Sequence, residues 1–241
     1  MPPFDLIGFD GDDTLWHNER VYRTARERFR ELLARSGVER TDEEVEELVD
    51  QTELRNLRFY GYGVSSFALS LIESSIELTA ARIPAGDILE LLQLSKQMIT
   101  ATVDLFDGAE EALAGLAEAY PLMLITKGDL LHQRAKANRS GLVRYFRHIE
   151  VVSHKDEETY AAILSRHSVE PSRFLMVGNS VRSDVAPVVQ VGGWAVHIPA
   201  ALTWSHEEAE LPQVGRDRCF ALDHLRQLPA LVDELGRNRR S

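Results

Sequence analysis

The sequence predicts an α/β fold, in which a doubly wound parallel sheet carries an all-helical insert after its first strand. Three observations support this fold class. Five short runs of strand length are nearly continuous in apolar character, as expected for parallel strands that are buried on both faces. Segments with helical periodicity separate the later runs. The long interval after the first run contains helical patterns and no convincing strand.

The five runs are the expected strands of the sheet. They lie at Asp5–Phe9, Leu122–Thr126, Ile149–Ser153, Phe174–Val177 and Ala195–Ile198. Right-handed crossovers place the carboxyl ends of such strands at one edge, which is where sheets of this class bind ligands. The residues that directly follow the strands are therefore the first candidates for a functional site.

The interval after the first strand is predicted to be entirely helical. An amphipathic segment ends at Gly37, Thr41 and Glu44 form a capping-box pattern before a second helix, and Pro84 begins another. We therefore predict two domains, a core made of residues 1–16 and 104–241 and a helical insert made of residues 17–103.

Composition limits the classes of partner. The chain has 241 residues and a net charge of −11, which argues against nucleic acid or an anionic membrane surface as the main partner. Cys219 is the single cysteine, so an internal disulfide is excluded and a cysteine-based metal site is disfavoured. No apolar run approaches membrane-spanning length, and the N-terminus has no signal-peptide pattern. We expect a soluble cytoplasmic protein.

The stretch DGDDT places three aspartates directly after the first strand. Asp10 and Asp12 can point into one pocket if the chain curls there, and a hard cation such as Mg²⁺ would offset their repulsion. Asp10 could then attack phosphorus as a nucleophile, while Asp12 protonates the leaving oxygen and later activates water. The alternatives are a solvated acidic turn or a calcium loop, although an EF-hand needs glycine where this chain has Leu15.

Two further strands also end in polar residues. Thr126 ends the second strand, where its hydroxyl can hold a phosphate oxygen, or it is simply a β-branched residue closing a strand. Lys155 follows the third strand and could neutralise phosphate and reduce the repulsion between Asp10 and Asp184, or it is a surface lysine. Lysine occurs at only four positions, and Lys127 and Lys155 both lie at this edge, which favours the functional interpretation.

The fourth strand ends in the stretch MVGNSVRSD. Gly178 permits a tight turn, and Asn179 and Asp184 supply oxygen atoms. The alternative is an ordinary polar loop. Four successive strand ends that carry an acid pair, a hydroxyl, a lysine and an oxygen-rich loop are improbable as independent coincidences. Together they predict one site for a cation and a phosphate group.

These four strand ends resemble, in order, the motifs of the haloacid dehalogenase-like (HAD) phosphohydrolase superfamily. DGDDT matches the first motif, D-x-D-x-T, and Thr126 matches the second-motif Ser or Thr. Lys155 fits the basic residue of the third motif, and GNSVRSD resembles the fourth, usually G-D-x-x-x-x-D. The helical insert lies where this superfamily carries a C1-type cap. The resemblance covers nearly the whole chain.

The resemblance implies a Rossmann-like core, a Mg²⁺ ion and a covalent phosphoaspartate at Asp10. Asn179 stands where the superfamily usually has an acid, so the metal site loses a negative charge but keeps an oxygen ligand. The expected residues are Asp10, Asp12, Thr126 and Lys155 for catalysis, Lys127, Gly128, Tyr60 and Tyr62 for substrate binding, and Asp10, Asp12, Asn179 and Asp184 for the metal.

The insert is expected to choose the substrate, because the core motifs recognise only phosphate and metal. Its loop YGYG, Tyr60–Gly63, combines flexible glycines with two tyrosines that offer flat apolar faces and a hydrogen-bonding tip. The alternative is that both tyrosines pack the insert.

The function we expect is that of a Mg²⁺-dependent phosphomonoesterase acting on a small phosphorylated metabolite. A phosphomutase of the same superfamily is an alternative, as is a non-catalytic phosphate-binding or signalling protein. A dehalogenase is disfavoured, because the dehalogenases of the superfamily that this chain resembles lack the second aspartate. The oligomeric state is open.

Overall fold

Six parallel β-strands form one sheet in the computed structural model, which describes residues 3–202, 204, 209 and 215–238. Each of the five predicted strands agrees with an observed one to within one residue at either end, so the predicted parallel α/β sheet is confirmed. The spatial order of the strands is 3-2-1-4-5-6. The strands are β1 (Leu6–Phe9), β2 (Leu122–Lys127), β3 (His148–Val152), β4 (Phe174–Gly178), β5 (Trp194–His197) and β6 (Cys219–Ala221).

Strand β6 is the element that the sequence pattern missed. It has three residues and lies at the edge of the sheet, where its one partner among the described strands is β5, through Ala195 and Cys219 and the two residue pairs that follow. Three residues are too few for an apolar run or an alternating pattern to stand out from a loop.

Nine α-helices occur among the described residues, and none of them is long and apolar enough to span a membrane. The predicted capping box is confirmed, since the Glu44 N–H donates to Thr41 Oγ1 and the Thr41 N–H donates to Glu44 Oε2. The helices are α1 (Glu19–Arg35), α2 (Asp42–Tyr60), α3 (Val64–Leu78), α4 (Ala85–Thr100), α5 (Ala109–Ala117), α6 (Leu130–Ser140), α7 (Glu157–Arg166), α8 (Ala186–Gln190) and α9 (Leu228–Asn238).

The chain divides into two compact units, and the first contains the sheet. It comprises the residues up to Glu19, Val103–Lys127 and the chain from Gln133 onward. Because successive strand residues face opposite sides, the sheet buries apolar side chains on both faces. Ile7 and Phe9 belong to a core shared with α5, α6 and α9, whereas Leu6 packs in a second core with α7 and α8.

The second unit is helical and comprises Arg20–Thr102 together with Gly128–His132. Helices α1 to α4 supply its own apolar core, which includes the fully buried Phe29, Phe67 and Leu71. The long interval that the sequence marked as helical is therefore helical in the structure. Its role as a cap and the domain boundaries at residues 16 and 103 stay predictions.

Strand register brings the carboxyl ends of the central strands to one edge. Phe9, the last residue of β1, pairs with Leu124 on one side and Val177 on the other. The next residue, Asp10, donates its backbone N–H to the Val177 carbonyl oxygen over 2.9 Å. The residues that follow β1, β2, β3 and β4 are thereby available for a common site.

Candidate active site

A buried lysine joins two of the predicted acids. Lys155 Nζ lies 2.5 Å from Asp10 Oδ1 and 2.7 Å from Asp184 Oδ1. Asp10 directly follows β1, Lys155 follows β3, and Asp184 lies in a π-helical turn, Val181–Val185, between β4 and α8. All three side chains are buried. The structure therefore brings together three of the residues that the sequence predicted.

Burial and mutual charge shift the pKa values of this group. Burial raises the pKa of Asp10 to about 7, and the neighbouring Asp184 carboxylate adds to the rise, while Lys155 opposes it. The pKa of Lys155 is also raised, because the two carboxylates outweigh the effect of burial on the ammonium. Further positive charge beside Asp10 would favour its ionised form, which is the form that can act as a nucleophile.

A threonine hydroxyl ties Asp10 to the loop after β4. Thr14 Oγ1 donates to Asp10 Oδ2 over 3.0 Å and also lies 3.2 Å from Asn179 Oδ1. The other oxygen of Asp184, Oδ2, accepts the Ser180 N–H over 3.1 Å. Thr14 therefore links Asp10 to Asn179, and Lys155 links Asp10 to Asp184. These two links bring the oxygen atoms of the three side chains together.

Glycine at the end of β4 is a steric requirement of this arrangement. A Cβ atom on Gly178 would overlap the carboxyl group of Asp184. The absence of a side chain lets the Asp184 carboxyl lie directly against the end of the strand.

The converging oxygens fit a hard cation such as Mg²⁺. Two carboxylates and one amide carbonyl are the kinds of ligand that this ion prefers. The two carboxylates are close enough for one cationic group to reach both, since the Lys155 ammonium does so. No cluster of three or more His, Cys, Asp or Glu side chains suited to a metal occurs in the described part of the chain. The set here has two acids, because Asn179 supplies a neutral oxygen where a third acid could stand.

Asp12 has a different set of partners. Its Oδ1 accepts from Trp16 Nε1 over 2.6 Å and from Lys136 Nζ over 2.7 Å, and its Oδ2 accepts from Gln133 Nε2 over 3.0 Å. Burial tends to raise the pKa of Asp12, but the ion pair with Lys136 and the three hydrogen bonds outweigh it and lower that pKa. A role for the Asp12 side chain as a metal ligand stays a prediction.

The Asp13 side chain has partners of its own, at the start of α1. Its carboxylate accepts the backbone N–H groups of Asn18 and Glu19, at the start of α1, and its φ of 59° is left-handed. Burial raises the pKa of Asp13 to about 6. The three neighbouring aspartates thus bind separate partners, and these partners offset the repulsion between their negative charges.

The second predicted motif ends β2 with an unpaired hydroxyl. Thr126 is buried, and its Oγ1 has no hydrogen-bond partner among the described residues. A buried hydroxyl without a partner is costly, so this atom is suited to receive an oxygen of a ligand. Lys127 Nζ donates to Ser183 Oγ over 2.9 Å, and Gly128 has a φ of 131°, a conformation that favours glycine. Their roles as substrate contacts stay predictions.

The two predicted substrate-binding tyrosines lie in the helical unit. Tyr60 ends α2 and is 56% exposed, and Tyr62 is in the short loop before α3. The glycines on either side of Tyr62, Gly61 and Gly63, have φ values of 68° and 129°. These values explain why glycine occupies both positions. A substrate-binding role for the tyrosines stays a prediction.

The residues around Asp12 are those that the sequence analysis missed. Gln133 and Lys136 are one helical turn apart on α6, the helix that follows β2, and Trp16 ends the same loop as Asp12. Lysine usage carried a signal, since Lys136 is the third of only four lysines to lie at this edge. The spacing of Gln133 and Lys136 was a second signal, because residues three apart share one face of a helix.

Known proteins resemble this chain in both sequence and fold. A family model for haloacid dehalogenase-like hydrolases matches residues 4–192. A haloacid dehalogenase-like family hydrolase from Xanthomonas campestris is 39% identical, with 99% of this chain and 95% of that chain covered and a TM-score of 0.86. A comparison with curated protein sequences gave no significant match.

Two more distant solved structures share the fold. The HAD hydrolase YfnB from Bacillus subtilis, bound to magnesium, is 17% identical, with 95% of this chain and 99% of that chain covered and a TM-score of 0.67. A 2-haloacid dehalogenase from Pseudomonas syringae pv. Tomato DC3000 is 21% identical, with 96% and 99% covered and a TM-score of 0.65.

Proposed function

Because the chain belongs to the haloacid dehalogenase-like hydrolase family, we propose that it hydrolyses a phosphate monoester of a small molecule through a phosphoaspartate at Asp10. The observation that carries this proposal is the second acid, Asp12, held by three donors two residues beyond the nucleophile. A halide leaves a carbon atom without needing a proton. The alkoxide expelled from a phosphate ester is strongly basic and benefits from a proton donor, so the second acid favours phosphate esters over haloacids.

In the first step, an Asp10 oxygen attacks phosphorus and the bond from phosphorus to the ester oxygen breaks. Lys155 Nζ and the unpaired Thr126 Oγ1 stabilise the phosphoryl oxygens, and Asp12 gives its proton to the leaving oxygen. The negative phosphate group disfavours the Asp12 carboxylate and so raises the pKa of Asp12 when the substrate binds.

In the second step, the Asp12 carboxylate accepts a proton from water, and the resulting hydroxide attacks phosphorus. The bond between phosphorus and Asp10 breaks, which regenerates the Asp10 carboxylate and releases inorganic phosphate. Mg²⁺ bound by Asp10, Asn179 and Asp184 would supply positive charge that offsets the repulsion between carboxylate and phosphoryl oxygens. The magnesium-bound YfnB supports this choice of ion.

The test compares two classes of substrate, phosphate esters and a haloacid, on the same protein. Phosphate release from p-nitrophenyl phosphate and a panel of small phosphorylated metabolites is measured with Mg²⁺ and with a chelator, and chloride release from 2-chloropropionate is measured in parallel. We expect phosphate release that Asp10→Asn abolishes and that Asp233→Asn, an exposed change on α9, leaves intact. Chloride release without phosphate release would overturn the proposal in favour of a dehalogenase.

A further inference from the structure

We propose that Gln133 and Lys136 are positioning residues for Asp12 and that, with Trp16, they select Oδ2 as the oxygen that exchanges the proton. The proposal rests on the proposed function, because it assumes that Asp12 acts as the acid and base. It adds a second layer to the site, built from α6, a helix that carries none of the four sequence motifs.

Donor counting distinguishes the two oxygens of Asp12. An ionised carboxylate offers about four lone-pair directions, two on each oxygen. Oδ1 receives Trp16 Nε1 at 2.6 Å and Lys136 Nζ at 2.7 Å, so both of its directions are used. Oδ2 receives Gln133 Nε2 at 3.0 Å, which leaves one direction free. The leaving oxygen or the attacking water can therefore meet Asp12 only at Oδ2.

The three donors are themselves held in place. Lys136 Nζ also donates to Asn18 Oδ1 over 2.6 Å, and Gln133 Nε2 also donates to the Lys127 carbonyl oxygen over 2.9 Å. Through Gln133, the second bond links Asp12 to Lys127, the last residue of β2, which directly follows Thr126 in the sequence. The Trp16 side chain is fully buried, and its ring lies so close to Gly11 that a Cβ atom there would overlap it.

Restricting the rotation of the Asp12 carboxylate favours proton transfer. The terminal torsion of an aspartate is broad and roughly two-fold, so an unrestrained carboxylate presents either oxygen over a wide range of angles. Proton transfer requires a donor–acceptor distance of about 2.6–3.2 Å in a defined direction. Three rigid donors restrict that range before the substrate arrives, which lowers the entropy cost of reaching the reactive geometry.

A purely structural ion pair between Asp12 and Lys136 would explain the same contacts. The structural role and the positioning role differ in how kcat/KM depends on the leaving group of the substrate. The variants Lys136→Met and Gln133→Leu are assayed on p-nitrophenyl phosphate, whose leaving group needs little protonation, and on an alkyl phosphate, whose leaving group needs much. If both residues position Asp12, we expect the ratio of kcat/KM, alkyl over nitrophenyl, to fall by about tenfold or more in each variant. Lys96→Met, a change of an exposed lysine on α4, should leave the ratio unchanged.

Partial unfolding does not disturb this ratio, because both substrates are measured on one protein sample. Gln133→Leu removes one neutral donor and leaves the ion pair of Asp12 with Lys136, so it remains informative if Lys136→Met folds poorly. In an Asp12→Asn background, Gln133→Leu should have no further effect on the ratio, since the group that it positions no longer transfers a proton.

Two outcomes overturn different claims. Equal losses on both substrates in an active protein would overturn the positioning role and leave the phosphatase intact. A wild-type protein that releases phosphate from neither ester would overturn the proposed function, and the positioning role with it. A lower ratio in both variants, absent from the Asp12→Asn background, is the result that we expect.

Discussion

Lys155 Nζ lies 2.5 Å from Asp10 Oδ1, although the two residues are 145 positions apart in the sequence. The same ammonium group binds Asp184, and the Lys155 side chain is 1% exposed. Removing three charges from water costs much solvation free energy, which only their mutual attraction and hydrogen bonds offset. The stability of the fold and the charge of the site therefore depend on one lysine.

Lys155→Met should lower the free energy of unfolding by about 3–5 kcal/mol, because it leaves two buried carboxylates without a counter-charge. The loss should shrink as the pH falls, since protonated carboxyl groups need no cation beside them. Urea denaturation at several pH values measures both effects, with Lys96→Met as the exposed control. A Lys155→Met protein as stable as the wild type would contradict the role of this cation.

Asn179→Asp should tighten Mg²⁺ binding by about tenfold or more, because a negative charge placed near a dication in a partly buried site is strongly favourable. Titration calorimetry with MgCl₂ measures the affinity directly and does not depend on activity. Asn138→Asp, an exposed change on α6, is the matched control for added charge. An unchanged affinity, with Asp184→Asn equally harmless, would place the cation elsewhere.

Thr126→Val should separate activity from stability. The Oγ1 atom of Thr126 has no partner among the described residues, so its replacement by a methyl group should keep or slightly raise the melting temperature. The same change should lower kcat/KM for a phosphate ester by one to two orders of magnitude, about 1.4–2.7 kcal/mol of transition-state stabilisation. Thr79→Val, which removes a hydroxyl bonded to the Ser75 carbonyl, should instead destabilise the protein.

Gly178→Ala should destabilise the protein by about 1–3 kcal/mol, because the added methyl group overlaps the Asp184 carboxyl and must displace it. Mg²⁺ affinity should fall with the displacement. Gly115→Ala is the matched control, since Gly115 lies inside α5 with open space around it, and alanine there should stabilise the helix. Equal effects of the two changes in thermal unfolding and calorimetry would refute this steric account.

Tyr62→Ala should change substrate preference more than stability if the loop after α2 contacts the substrate. The kcat/KM for the preferred metabolite should then fall far more than that for p-nitrophenyl phosphate, which has little for the loop to recognise. Leu89→Ala, a change of an exposed leucine on α4, provides the control within the same helical unit. Equal losses on both substrates, or a large drop in melting temperature, would show that Tyr62 packs the helical unit.

Residues at strand ends were predictable, and residues on neighbouring helices were not. Asp10, Lys155 and Asp184 could be placed together because parallel strands direct their carboxyl ends to one edge. The contacts of Gln133 and Lys136 with Asp12 depend on which face of α6 lies against the loop after β1. The orientation of α6 is set by the packing of the whole sheet and not by a local sequence pattern. Strand β6 escaped detection because a three-residue edge strand carries almost no pattern.

The neutral Asn179 followed from the sequence, but its partner did not. The fourth-motif match showed that an amide replaces an acid there. The contact between Thr14 Oγ1 and Asn179 Oδ1 joins positions 165 residues apart and could be seen only in the folded chain. Local motifs therefore identify the chemical groups, while long-range packing decides which oxygen of each group remains open to a ligand.

The pairing of three carboxylates with two ammonium groups has a thermodynamic consequence. Asp10, Asp12 and Asp184 in their ionised forms exceed Lys136 and Lys155 by one negative charge. A phosphate ester adds further negative charge, so its binding is favoured by simultaneous uptake of a cation or a proton. By reciprocity, each such cation or proton must bind more tightly when the phosphate ester is present, and by the same factor. Substrate affinity in this site is therefore a function of cation concentration and pH as well as of shape.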